Sequence, residues 1–175
     1  STGQDGIDIF MALNAALGGF KICQSGLGTK IHKASAPKLG IMFEQVIETL
    51  LTVLVQNKEA WTVRNNGDIF VPDTFGLKDL AEPQELDINI LDLKEKAQTE
   101  YSKYQADIKE LLAPYAFSRI HEMFEVEVFD LTILLWTQVF YSLVYRYDIS
   151  KSSKERKKII NSLKPLYFAR SLSFN

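Results

Sequence analysis

The chain contains one cysteine and two histidines among 175 residues, which excludes several chemistries at once. Cys23 has no partner for an internal disulfide, so the chain does not read as a disulfide-stapled secreted scaffold, and a cytoplasmic location is expected. Cysteine and histidine are too few to build a zinc cluster within the chain. An excess of basic charge is missing too. The formal net charge is -2, from 20 Lys and Arg against 22 Asp and Glu, whereas a general nucleic-acid binder is clearly basic. Long apolar runs are also lacking. The longest uncharged stretch, residues 131–145, is shorter than the roughly 18 to 20 residues that span a bilayer. It is interrupted by Thr132, Thr137, Gln138 and Ser142, so a buried helix is expected rather than a membrane span. The opening Ser1-Thr2-Gly3-Gln4-Asp5-Gly6 is small, polar and acidic, without the basic start of a secretion signal.

Apolar and charged residues make up 46% and 24% of the chain, enough for a sizeable core. After Gly6, the spacing of Ile7, Phe10, Met11, Leu13 and Leu17 predicts a helix that Gly18-Gly19 ends. Residues 20–27 read as a strand in which Cys23 is a small buried residue. Residues 39–61 carry a strong helical stripe, and residues 64–83 read as loop around Asn65-Asn66-Gly67, Pro72 and Pro83. Asn89 is placed to cap a helix, with Asp92 three residues on. That helix has Leu93, Ala97, Tyr101, Tyr104, Ile108 and Leu111 on one side, and the pairs Lys96–Glu100 and Lys103–Asp107 on its wet side. Pro114 breaks it, and a short helix follows around residues 119–123. Residues 128–147 are apolar nearly all round and are expected to form a largely buried helix. Ser152 and Glu155 start a last helix, expected to end before Pro165. The expected fold class is therefore mostly α with a small β element, α+β.

Few positions carry chemistry. His32 follows the predicted strand with Lys30 and Lys33 beside it. It reads either as a surface loop residue or as a neutral metal ligand whose partners would be oxygen groups. No Asp-x-Asp pair occurs in the chain. Asp5 and Asp8 flank Gly6-Ile7, where the helix dipole favours a carboxylate and where one could also orient or deprotonate a sugar hydroxyl. His121-Glu122 begins like a zinc-protease motif, but position 125 is Glu, so a solvated helix face is expected. Lys154, Arg156, Lys157 and Lys158 read as a wet helix face.

Three stretches taken together, Gly6-Ile7-Asp8-Ile9-Phe10-Met11, Gly19-Phe20-Lys21-Ile22 and Leu27-Gly28-Thr29-Lys30-Ile31-His32, resemble the end of the catalytic domain of glucosylglycerate synthases and glucosyl-3-phosphoglycerate synthases. Leu39 to Leu51, Leu135-Trp136 through Tyr147, and Ser162 to Arg170 are similar to later segments of that family, in the same order. The resemblance implies that residues 1–38 close a GT-A catalytic domain and that residues 39–175 form a helical region packed on it. It implies a retaining transfer of a hexose from a nucleoside-diphosphate sugar to a small carboxylate acceptor, glycerate or 3-phosphoglycerate, with a divalent cation, Mg or Mn. It further implies Asp8 as the catalytic acid that contacts the donor sugar, His32 as a metal ligand, and Lys30 and Lys33 as acceptor-binding residues. Two departures stand out: Asp5 replaces an aromatic residue, and Lys33-Ala34-Ser35 replaces an acidic turn. The alternative is a non-catalytic helical interaction or dimerisation domain, in which Tyr101, Tyr104, Tyr141 and Tyr145 serve a face between copies or simply pack the core. A homo-oligomer is expected in either case.

Overall fold

The computed structural model describes residues 6–26, 39–62, 73–76 and 89–174. It is mostly helical with one two-stranded parallel sheet, as the expected α+β class requires. The chain divides into two compact units, Ser1–Leu86 and Asp87–Asn175.

In the first unit, α1 (Ile7–Leu17) is followed by β1 (Cys23–Gly26), α2 (Leu39–Gln56), α3 (Lys58–Thr62) and β2 (Asp73–Gly76). Helix α1 ends as its glycines dictate. The Gly18 amide donates to the Asn14 carbonyl, and Gly19 takes a φ of 73°. Helix α1 packs on α2, whose Phe43, Thr49, Leu51 and Val53 are buried. At the α2–α3 turn the Trp61 indole donates to the Leu54 carbonyl at 2.8 Å.

Strand β2 lies inside the stretch expected to be loop. It pairs in parallel with β1, from Cys23 opposite Asp73 to Gly26 opposite Gly76. Parallel pairing needs a crossover, which α2 and α3 occupy. Gly76 has a φ of 93°, and a Cβ there would meet the backbone of Gly26. With no second layer over the strands among the described residues, Cys23 is exposed rather than buried.

The second unit holds α4 (Ile90–Leu111), α5 (Pro114–Glu125), α6 (Ile133–Ile149) and α7 (Ser153–Leu172). Asn89 caps α4 by accepting from the Asp92 amide at 3.1 Å. Ser152 caps α7 through the Glu155 amide, while the Glu155 carboxylate reaches back to the Lys151 amide. Pro114 opens α5, where its missing N–H costs nothing. Helices α4 and α7 run antiparallel, since Lys158 meets Asp107 and Glu110 while Lys164 meets Glu100. Ala97, Tyr101 and Ile108 of α4 are buried, as is one side of α7.

Three expectations fail in this unit. Helix α7 does not stop before Pro165 but runs through it to Leu172. An interior proline costs about 3 kcal/mol, and the turn beyond it offsets this by burying Leu166, Phe168, Ala169 and Leu172. Helix α6 begins at Ile133 rather than near Val128 and is not largely buried. Val139, Leu143, Val144 and Tyr147 face α4 and α7, while Ile133, Leu134, Tyr141 and Tyr145 are exposed. The charge pairs differ as well. Lys96 pairs with Asp92, and Lys103 pairs with Glu100, because Glu100 and Asp107 also face lysines of α7.

The connection from α5 to α6 is tied to the end of α7. The Arg170 guanidinium donates to the Leu131 carbonyl at 2.7 Å, and the Leu131 amide donates to the Ser173 hydroxyl at 3.0 Å. Just before it, Glu127 closes α5 with a φ of 55°, a position glycine usually fills.

Candidate functional site

Asp8 stands in the first turn of α1 and is exposed. The amino end of α1 has no side-chain cap, so its free N–H groups favour a carboxylate here. The glycine two residues earlier has a steric cause. A Cβ at Gly6 would collide with the Thr49 side chain and press on the Gln45 carbonyl of α2. The close approach of α1 to α2 thus explains Gly6 in the Gly-Ile-Asp stretch and fixes where Asp8 emerges. Lys30, His32 and Lys33 lie outside the described residues, so the structure describes Asp8 alone of the four candidates. Among the described residues no group of three or more His, Cys, Asp or Glu could hold a metal ion.

The second unit contains a cluster that sequence reasoning missed. His121 is not on a solvated face but half-buried between α5 and α4. Its ring stacks on Phe117 at 5.5 Å and lies 6.3 Å from the Tyr101 ring, which itself stacks on Phe124 at 3.9 Å. The Tyr101 hydroxyl and the Gln105 amide nitrogen lie within hydrogen-bond distance of His121 Nδ1, at 3.1 and 3.2 Å, and the Glu125 carboxylate is 3.8 Å from the same atom. Burial pushes the Tyr101 phenol up to about 12; the Glu125 carboxylate adds to the rise, and the Gln105 hydrogen bond opposes it. Tyr101 therefore keeps its proton at neutral pH. The cluster locks α5 to α4. The signal in sequence was Tyr101 and Gln105 four apart on one helix face, opposite a histidine on the next helix.

Lys154, Lys157 and Lys158 of the basic run line a shallow groove of about 600 Å³ with Asp107, Ser152, Glu155 and Asn161. Lys154, Arg156 and Lys157 are exposed, as expected. Lys158 instead turns back onto Glu110 at 2.6 Å and Asp107 at 3.3 Å. The Glu110 hydrogen bond raises the Lys158 pKa, and the same contact lowers that of Glu110. Carboxylates thus offset much of the positive charge that an anion would need.

No described helix is long and apolar enough to cross a membrane. Compared with protein-family models, curated proteins and solved structures, the chain matches none.

Proposed function

We propose that this chain is the carboxy-terminal portion of a retaining, metal-dependent glycosyltransferase that moves a hexose from a nucleoside-diphosphate sugar to glycerate or 3-phosphoglycerate. The observation that supports the reading is α1. Its apolar residues follow helical spacing, yet none is buried, and Ile7, Phe10 and Met11 are 50%, 39% and 63% exposed. Such a helix suits a surface meant to lie against more protein, and a nucleotide-binding half would supply it. Asp8, exposed at the helix start, would orient or deprotonate a sugar hydroxyl. Lys30 and Lys33 would bind the acceptor carboxylate, and His32 would be one ligand of a Mg or Mn ion. The described residues hold no ligand set for that ion on their own.

The test is a donor and acceptor screen on the intact parent protein, with Asp8→Asn and His32→Ala beside wild type. Asp8→Asn should lower turnover by roughly 100-fold or more while leaving the melting temperature unchanged. His32→Ala should raise the metal concentration needed for half-maximal rate. Absence of transfer in wild type, or unchanged turnover and metal curves in both variants, would overturn the proposal. A non-catalytic interaction domain is the second reading, favoured by the exposed face of α6.

A further inference from the structure

Along the helices of the second unit, serine and threonine hydroxyls fold back onto the carbonyl four residues earlier. Ser102 donates to Gln98, Thr137 to Ile133, Ser142 to Gln138 and Ser171 to Tyr167, at 2.9, 2.8, 2.7 and 3.0 Å. Ser162 of α7 departs from this habit. It is 0% exposed, and its hydroxyl has no hydrogen-bond partner among the described residues. The same turn carries a second unmet group. Pro165 stands inside α7 and has no N–H, so the Asn161 carbonyl lacks the amide that would bond it in a regular helix. Spacings of three and four set Lys158, Asn161, Ser162 and Pro165 side by side on the helix. Ser162 and Pro165 are buried, whereas Lys158 and Asn161 line the shallow groove of about 600 Å³. That groove brings solvent to the residues beside the break.

We propose that α7 binds one ordered water molecule at its proline break, held by the Ser162 hydroxyl and the Asn161 carbonyl. Two partners are the fewest that keep a buried water in place. Ser162 alone offers one, and the carbonyl freed by Pro165 supplies the other. The water donates to the carbonyl and exchanges a hydrogen bond with the hydroxyl, so one molecule meets both groups. Water entering the backbone ladder is an ordinary companion of a break in a buried helix. The chemistry of the site selects water over an ion. A hydroxyl and a carbonyl are neutral and cannot offset the desolvation of a charge, and the nearest charged groups, Lys158 and Asp107, already pair at 3.3 Å. An apolar occupant would leave both polar groups unmet. The water is thereby part of the fold: it satisfies the break across which α7 continues to bury Leu166, Phe168, Ala169 and Leu172. The inference does not depend on the transferase reading.

Magnetic relaxation dispersion of the water oxygen tests it on the 175-residue chain, because that signal counts long-lived bound waters and is blind to hydroxyl protons. Relative to wild type, Ser162→Ala should lose the amplitude of one water molecule. Pro165→Ala should lose the same amplitude, since the restored amide takes the Asn161 carbonyl. Unchanged amplitude in both variants would overturn the proposal. A loss in Ser162→Ala alone would overturn the part assigned to the carbonyl. Helical circular dichroism shows whether each variant keeps its fold, and a crystal structure of wild type gives a readout that needs no variant. A density peak within hydrogen-bond distance of both Ser162 Oγ and the Asn161 carbonyl oxygen is expected. A Ser162 hydroxyl folded back onto the Lys158 carbonyl, with no such peak, would overturn the site.

Discussion

The two units handle apolar side chains in opposite ways. In the second, α7 alone buries nine residues, and α4, α5 and α6 each bury three or four more. In the first, α2 buries Phe43, Thr49, Leu51 and Val53, but α1 buries no apolar side chain and both strands lie mostly in the open. The chemistry proposed for the chain sits in the thinly packed unit, at Asp8, while the densely packed unit holds no candidate catalytic residue.

The comparison breaks most sharply at paired truncations. Leu166→Ala, at a fully buried position of α7, should cost about 3 kcal/mol in chemical denaturation. Met11→Ala on α1 should cost about 0.5 kcal/mol or less. Equal costs would show that α1 is as well packed as α7.

A pH titration sharpens the same contrast. The folded state holds the Tyr101 proton more tightly than the unfolded chain, with a pKa of about 12 against an ordinary 10.0. Its contribution is therefore complete below pH 10 and lost as pH rises from 10 toward 12. The loss should be on the order of 2 kcal/mol, and it should be absent in Tyr101→Phe measured over the same range. If both proteins lose stability in parallel, other groups govern the alkaline transition.

Smaller effects should follow at the polar ties. Arg170→Ala leaves the Leu131 carbonyl without its donor and should cost about 1.5 kcal/mol. Arg170→Lys should recover part of this. In the first unit, Gly6→Ala should cost about 1 kcal/mol by forcing α1 away from Thr49. Combining it with Thr49→Ala should cost less than the sum of the two single changes. Additive costs would mean that the close approach at Gly6 does not constrain α1.

Features set by local chemistry were legible in the sequence. The Asn89 and Ser152 caps and the Gly18-Gly19 stop each depend on a few neighbouring residues, and each appears where the sequence places it, whereas α5 starts at Pro114 and not near residue 119. Features set by distant partners were not. Pro165 reads locally as a terminator, but burial of the next turn outweighs it. Lys96 and Lys103 each have more than one carboxylate within reach along α4, and only the position of α7 decides which pairs form. The uniform apolarity of α6 conceals the fact that its neighbours in the unit cover one side of it. His121 looked solvent-facing because Tyr101, which gives it a partner, lies 20 residues away on another helix. Of the candidate site, the exposed Asp8 at the start of α1 was legible, and so was Gly6 as a marker before the helix. The reason Gly6 must be glycine lies in α2.

The hydrogen bonds that tie Leu131 to Arg170 and Ser173 carry a consequence for biosynthesis. A ribosome delivers Leu131 about 40 residues before the groups that satisfy it, and at ordinary elongation speeds that is a delay of several seconds. Until α7 emerges, the backbone between α5 and α6 has only water for those bonds, and the side of α4 that packs on α7 has no cover. The α4–α7 contact and the two Leu131 ties therefore form only after α7 has left the exit tunnel. A stalled nascent chain ending near residue 165 should remain sensitive to protease along α4, whereas one extended well past residue 174 should resist it.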